Sequence, residues 1–186
     1  LAQGHDLDLD LKAKVMAISG LQARDVVARV IANPERIDIS RLAIADMAGT
    51  SLVIEGSVQD LLGKPIGKVS SRLVSENPAR FLDMLNRRFG PFPTMAGLIS
   101  DPIRVRDTNV TADFLAASDG YSLKLDGQSG GSDVQAQITG DDLSLGLGQQ
   151  QINGKFVMVN KEASSLLLQL GLPVVALNDS GRAALR

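Results

Sequence analysis

Strict alternation of apolar and charged residues near the start of the chain is the feature that most constrains its fold. From His5 to Val15 the sequence reads HDLDLDLKAKV. A period of two is typical of a β-strand with one face against a hydrophobic layer and the other face in water. The pattern predicts that Leu7, Leu9, Leu11, Ala13 and Val15 share one face, while three aspartates and two lysines face solvent.

Further strand-like runs follow, and turn signals separate them. The first five predicted strands cover residues 5–15, 21–31, 36–45, 51–58 and 66–75. The breaks between them carry Ser19-Gly20, Asn33-Pro34, Ala48-Gly49 and Gly63-Lys64-Pro65. These residue types favour tight turns. Strands joined in succession by short turns predict an antiparallel meander.

The period changes at residues 77–90, where the sequence predicts a helix. Asn77 can accept hydrogen bonds from the free amides of the first turn, and Pro78 suits the first helical position. Gly90 can end the helix. Phe81 and Leu85 fall on one apolar stripe, which indicates that the helix packs on the sheet.

The second half of the chain repeats this order. Strands are predicted at residues 103–114, 120–127, 133–139, 143–147 and 152–159, and a second helix at residues 160–171. Asn77 and Asn160 mark the starts of the two helices and lie 83 positions apart (160 − 77 = 83). The order predicts an internal repeat of about eighty residues, five strands and then a short helix, twice.

The expected domain organisation follows from this repeat. Residues 1–90 form the first unit, 91–102 a proline-containing connector, 103–173 the second unit, and 174–186 the start of a following unit. Because the chain begins with a leucine, we expect it to be part of a longer protein. A sheet of ten strands must twist and curl, so it can form a long groove. The alternative is a closed barrel or a two-layer sandwich whose apolar face is only a core.

Composition argues against several classes of function. A single His and the absence of Cys among 186 residues leave no basis for disulfides, zinc clusters or most hydrolytic triads, so we expect no enzyme, metal site or cofactor. The net charge of −2 does not favour nucleic acid. Residues 166–177 are the longest apolar stretch and are too short to span a bilayer. Carbohydrate binding usually uses aromatic side chains as stacking surfaces. It is the least favoured function, because aromatic residues make up only 3% of the chain.

Several segments resemble the AsmA-like proteins of Gram-negative bacteria. The segments are Asn-Pro-Glu-Arg-Ile-Asp-Ile from Asn33, Met47-Ala48-Gly49-Thr50, Leu52-Val53-Ile54-Glu55-Gly56-Ser57-Val58, Asn-Pro-Ala-Arg-Phe-Leu from Asn77, and Asn153-Gly154-Lys155-Phe156. The resemblance implies a periplasmic location and a repeating β-groove, as in bridge-like lipid transfer proteins. It also implies that the full-length protein is anchored in the inner membrane by an N-terminal helix, and that phospholipids move along the groove toward the outer membrane.

Given this resemblance, apolar strand residues become candidates for contact with phospholipid acyl chains. Acyl chains need a dry lining without directional partners, which aliphatic side chains supply. The candidate lining residues are Leu7, Leu9, Leu11, Val15, Leu52, Ile54, Val58, Leu143, Leu145, Leu147, Ile152, Phe156 and Met158. Packing in an ordinary hydrophobic core is the alternative role for the same residues.

A structural or assembly factor for outer-membrane components is the alternative function. The end strands of a meander carry unpaired backbone groups, which can pair with another chain. The same edges predict edge-to-edge self-association of the chain.

Overall fold

One antiparallel sheet of ten strands dominates the fold, and its spatial order is the order of the strands in the chain. The structure is a computed structural model that describes residues 6–89, 105–141, 152–169 and 183–185. Every strand is hydrogen-bonded to the strands that precede and follow it in sequence. The predicted mainly β class and the antiparallel meander are therefore confirmed.

Nine strands of nine to twelve residues and one short strand make up the sheet. The strands are β1 (Leu7–Ile18), β2 (Leu21–Ala32), β3 (Arg36–Met47), β4 (Thr50–Gln59), β5 (Ile66–Ser75), β6 (Thr108–Ala117), β7 (Gly120–Ser129), β8 (Ser132–Gly140), β9 (Ile152–Asn160) and β10 (Ala183–Leu185). The helices are α1 (Ala79–Phe89), between β5 and β6, and α2 (Ala163–Gln169), between β9 and β10.

The second half of the chain departs from the predicted boundaries. A strand was expected at residues 103–114, but β6 begins only at Thr108. The residue before it, Asp107, has a φ of 50°, which is not that of an extended strand. The strand predicted at residues 143–147 lies outside the described residues. Since Gly140 of β8 pairs directly with Ile152 of β9, no strand stands between those two in the sheet.

The alternation predicted for β1 holds only as far as Ala13. Beyond it, Met16 packs in the same hydrophobic cluster as Ala13, three positions away, and Val15 is 55% exposed. The same change of phase occurs in the neighbouring part of β2, where Asp25 has a φ of 47°. Val15 pairs with the exposed Arg24, so it lies on the opposite face from Ala13. The prediction of one unbroken face through residue 15 was wrong.

A hydrophobic cluster lies beneath α1 at the end of the sheet where β1 turns into β2. Phe81 of α1 is 4% exposed and packs with buried residues of β2 and β3. The buried sheet residues of the cluster are Ala23, Val26, Ile44 and Met47. Met84 and Leu85 extend the helix side of the contact. Burial of these side chains holds α1 on one face of the sheet, since each large apolar side chain contributes about 2 kcal/mol.

Both helices begin with the predicted asparagine caps. The Asn77 Oδ1 atom accepts a hydrogen bond from the Ala79 N–H (3.3 Å), and the Asn160 Oδ1 atom accepts one from the Glu162 N–H (2.9 Å). Each bond satisfies an amide that has no partner within its helix. Asn160 is also the last residue of β9, so α2 starts directly at the end of a strand.

Candidate functional site: the apolar face of the sheet

One face of the sheet is apolar across all nine long strands. Directly paired residues of antiparallel strands share a face, so the registers align side chains in rows that cross the strands. The row nearest α1, the first row, contains Ala13, Val26, Ile44, Leu52, Leu73, Val110, Gly127, Val134 and Met158. The second row contains Leu11, Ala28, Leu42, Ile54, Ser71, Ala112, Leu125, Ala136 and Phe156.

Two further rows continue the same face away from the helix. The third row contains Leu9, Val30, Ile39, Gly56, Val69, Phe114, Leu123, Ile138 and Gly154. The fourth row contains Leu7, Ala32, Ile37, Val58, Gly67, Ala116, Tyr121, Gly140 and Ile152. None of the four rows contains a charged residue. We call the surface that they form the apolar face.

The structure places most of the predicted lining residues in these rows. The predicted residues on the apolar face are Leu7, Leu9, Leu11, Leu52, Ile54, Val58, Ile152, Phe156 and Met158. Val15 is on the other face, and Leu143, Leu145 and Leu147 lie outside the described residues. Three separate strands, β1, β4 and β9, therefore contribute the described predicted residues to one surface.

Sequence reasoning missed the contributions of β2, β3, β5, β6, β7 and β8 to the apolar face. In β3 the alternation is hidden, because its registers with β2 and β4 shift between Ile39 and Leu42. This shift moves the apolar side chains of β3 from odd to even positions. In β2 the alternation is hidden because Val27 and Ile31 lie on the charged face. In β7 the signal was present, since apolar and polar residues alternate from residue 121 to residue 126.

The hydrophobic cluster beneath α1, which we call the α1 cluster, covers only one margin of the apolar face. Its sheet residues come from the first row and from positions nearer the helix, such as Met16 and Leu21. Leu7 and Phe156, in the outer rows, remain 43% and 40% exposed. The second, third and fourth rows extend roughly 40 Å by 14 Å at standard strand and residue spacings. An apolar area of about 500 Å² is at the upper end of what monomers expose, and such patches mark interaction surfaces.

A glycine in the third row is required by the approach of two strands. Gly56 of β4 has a φ of 148°, and a Cβ atom there would lie 2.2 Å from the carbonyl oxygen of Lys68 in β5. No other residue fits this position without moving the backbone. The third row is therefore interrupted by a shallow gap between Ile39 and Val69.

A row of buried hydroxyl and amide groups borders the apolar face on the helix side. Thr50 Oγ1 donates to Ser75 Oγ (2.9 Å), and Asn160 Nδ2 donates to Ser132 Oγ (2.8 Å). The members of this polar row are Thr50, Ser75, Thr108, Ser129, Ser132 and Asn160. Within the described part of the chain, no buried side-chain polar atom lacks a partner. The row therefore links the strand ends to one another and to α2 without an uncompensated polar group.

The opposite face, which we call the charged face, carries ion pairs between neighbouring strands. Arg29 and Asp10 are 3.6 Å apart, and Arg41 and Glu55 are 3.1 Å apart. All four side chains are at least half exposed, so each pair contributes little to stability. A depression on this face over β7–β9 is lined by Lys124, Asp126 and Lys155, among other residues, and these charged side chains do not suit an acyl chain.

Asp113 on the charged face has a perturbed pKa. The Ser70 hydroxyl donates a hydrogen bond to Asp113 Oδ1 (2.5 Å) and lowers the pKa of this carboxyl, while burial acts to raise it. Lys68, 3.6 Å from the same oxygen, lowers the pKa further. Because the pKa is lower in the folded chain, the stabilisation is present above the ordinary carboxyl pKa and is lost as pH falls through the folded value.

We expect Ser70→Ala to raise the pKa of Asp113 toward its ordinary value, because the largest favourable contact of the carboxylate is removed. An NMR titration of the Asp113 carboxyl carbon measures the change. Ser71→Ala is the matched control, since the Ser71 hydroxyl donates to the Ala112 carbonyl oxygen (3.4 Å) on the other face. Equal Asp113 titration curves in the wild-type chain and Ser70→Ala would contradict the assignment.

Other kinds of site find no support in the described residues. Among them, no group of three or more His, Asp or Glu side chains is placed to hold a metal ion. No helix within these residues combines the length and the apolar character that a bilayer crossing needs. The apolar face is therefore the feature on which a function can be argued.

Comparisons with known proteins add no assignment. A scan against protein-family models, a search of curated proteins and a search of solved structures found no match for this chain.

Proposed function

We propose that the apolar face holds the acyl chains of phospholipids, and that the chain is part of an AsmA-like periplasmic protein. In this proposal the sheet curls about its long axis and forms a groove between the inner and the outer membrane. The observation that carries the proposal is the set of apolar rows that cross nine strands without a charged residue. A route for lipid needs such continuity along the whole sheet.

The chemistry of the rows suits acyl chains. Each methylene group removed from water contributes about 0.8 kcal/mol, without any directional bond. The one polar side chain of the second, third and fourth rows besides the Tyr121 hydroxyl is Ser71, and its hydroxyl is bonded to a backbone carbonyl. No unpaired polar group therefore competes with an acyl chain at this position. The aliphatic side chains lack the specific partners that would fix one lipid in one place, which favours movement along the rows.

The ends of the strands away from α1 provide a solvent-exposed margin for lipid headgroups. The fourth row lies next to the hairpins that join β2 to β3 and β4 to β5. These hairpins expose Glu35, Arg36, Asp60 and Lys64. In the proposed mode, headgroups stay in water at this margin while the acyl chains lie on the second to fourth rows. At the helix end of the sheet, the hydrophobic cluster beneath α1 covers the first row over β1 to β5.

A pair of variants on β4 tests the proposal. Ile54 and Val53 are adjacent and both half-buried, but Ile54 lies in the second row while Val53 lies on the charged face. The chain is purified gently, bound phospholipid is measured by mass spectrometry, and uptake of a fluorescent phospholipid from vesicles is followed. We expect Ile54→Glu to reduce bound phospholipid roughly tenfold, since a carboxylate cannot be left in contact with acyl chains, and Val53→Glu to leave it nearly unchanged.

Two results would overturn the proposal. One is a folded wild-type chain that carries no phospholipid and takes up none. The other is an equal loss in Ile54→Glu and Val53→Glu while circular dichroism shows both to be folded, because the loss would then not depend on the apolar face.

One observation favours the alternative function, an assembly factor that acts through sheet edges. In the described residues β1 pairs with β2 alone, so twelve residues of backbone have a free side. Crosslinking in a periplasmic extract separates the two functions. Capture of the same partner by wild-type chain and by Ile54→Glu would favour assembly over lipid carriage.

A further inference from the structure

The outer edge of β1, which no described strand covers, carries its charges in a particular order. On the charged face, Asp8 and Asp10 come first and Lys12 follows, and the exposed Lys14 comes next at the change of phase, while Leu9, Leu11 and Ala13 occupy the apolar face between them. The four charged residues are all exposed. No described strand lies on the outer side of β1. Long unpaired edges of this kind are templates for another strand.

The order of these charges is complementary to itself in an antiparallel pairing. If Leu11 of one copy lies opposite Leu11 of a second copy, Asp10 faces Lys12 and Asp8 faces Lys14, and the twofold axis repeats both pairs. Sliding one copy by a single residue along the other would place charged side chains opposite apolar ones. Centring on Asp10 or on Lys12 would place like charges directly opposite each other, which is unfavourable.

We propose that two copies of the chain pair through β1 in this register, with residues 8–14 of one copy antiparallel to the same residues of the other. This proposal is independent of lipid binding, since it rests on the edge of the sheet and on its charges. The twofold axis is perpendicular to the sheet, so the apolar faces of both copies lie on the same side. The second row then continues from Leu11 of one copy to Leu11 of the next.

The limits of the paired segment agree with the change of phase in β1. Beyond Lys14 the side chains change face, and Val15 is exposed on the charged face. In the proposed register Val15 lies opposite Leu7, which is on the apolar face. Regular pairing therefore stops at Asp8 and Lys14, where the complementary charges also end. The interface is a short seven-residue ladder.

Single-cysteine variants test the register, because the chain has no cysteine of its own. Paired Cα atoms of antiparallel strands are about 4.5–5.5 Å apart, within the range that a disulfide needs. We expect Leu11→Cys to form a covalent dimer on mild oxidation. In Leu9→Cys, the matched control, the two cysteines are offset by four residues, about 14 Å along the strands, so little dimer should form.

Charge exchange gives a test that does not depend on disulfide chemistry. Asp8→Lys and Lys14→Asp each convert two opposite-charge contacts into like-charge contacts, and each should raise the dimer dissociation constant roughly tenfold or more. The double variant Asp8→Lys with Lys14→Asp restores both contacts and should recover the dissociation constant to within about threefold. Sedimentation velocity measures the dimer dissociation constant of the wild-type chain, the two single variants and the double variant.

Several outcomes would overturn the proposal. They are a wild-type chain that stays monomeric at high concentration, equal disulfide formation in Leu9→Cys and Leu11→Cys, and a double variant no better than the single variants. A dimer that is lost in Ile54→Glu and unaffected by charge exchange would also overturn it, because the copies would then associate through the apolar face.

Discussion

Replacing Phe81 with alanine is expected to lower the free energy of unfolding by about 3–5 kcal/mol, as for other buried phenylalanines. Phe81 is 4% exposed and is the α1 residue in the buried cluster, where it contacts side chains of β2 and β3. Its removal leaves a cavity that the paired strands cannot fill, because the ladder hydrogen bonds fix their spacing. Urea denaturation followed by circular dichroism measures the change, and the thermal midpoint should fall by roughly 10 °C.

Leu82→Ala is the control for this prediction. Leu82 is the next residue of α1 and is only half-buried, outside the cluster. Leu82→Ala should lower the free energy of unfolding by about 1 kcal/mol or less. If both variants lose the same stability, α1 does not rest on the sheet through Phe81, and the margin of the apolar face near the first row is not held as described.

Asn160→Ala is expected to lower the free energy of unfolding by about 2–3 kcal/mol, since the Asn160 side chain makes two separate hydrogen bonds. The Asn160 Oδ1 atom caps α2, while Nδ2 donates to Ser132 Oγ (2.8 Å). Ser132 is fully buried, and its hydroxyl also donates to Gln169 Oε1 (2.5 Å). Removing the amide therefore uncaps the helix and leaves a buried hydroxyl with one partner fewer. Chemical denaturation and the hydrogen-exchange rates of α2 amides measure the two effects.

Asn77→Ala provides the comparison at the other helix. Asn77 is exposed and its cap bond is longer, 3.3 Å, so its loss should cost about 0.5–1 kcal/mol. A similar cost for Asn77→Ala and Asn160→Ala would show that the bond to Ser132 adds nothing to capping. Asn160→Asp should fall between the wild-type chain and Asn160→Ala, because it keeps the cap and loses the amide donor.

Local patterns in the sequence are enough to predict the nine long strands, their antiparallel pairing and the two helix caps. Alternation and turn residues act within a few positions, and a meander adds no contact between distant strands that could override them. The change of phase at Lys14 was not predictable in this way. It depends on Asp25 in the neighbouring strand, whose φ of 47° has no signal in the alternation of β1.

The sequence also did not predict which part of the apolar face α1 covers. Phe81 and Ala23 belong to one cluster although they are 58 positions apart (81 − 23 = 58), and no period in the sequence indicates such a pair. The apolar stripe of α1 indicated only that the helix packs on something. The site was therefore predicted as scattered residues, while its extent as aligned rows required the registers between all nine strands.

The nearest-neighbour order of the strands determines how the sheet can come apart. Since strands make extensive contacts only with the strands next to them in the chain, an end strand can detach by breaking one ladder. The exception is the cluster under α1, which joins side chains from β1 through β5. Those five strands should open together as one cooperative unit, whereas β6 to β10 can detach one strand at a time from the β10 side. Stability is thus distributed unequally along a sheet whose strand pairing is regular throughout.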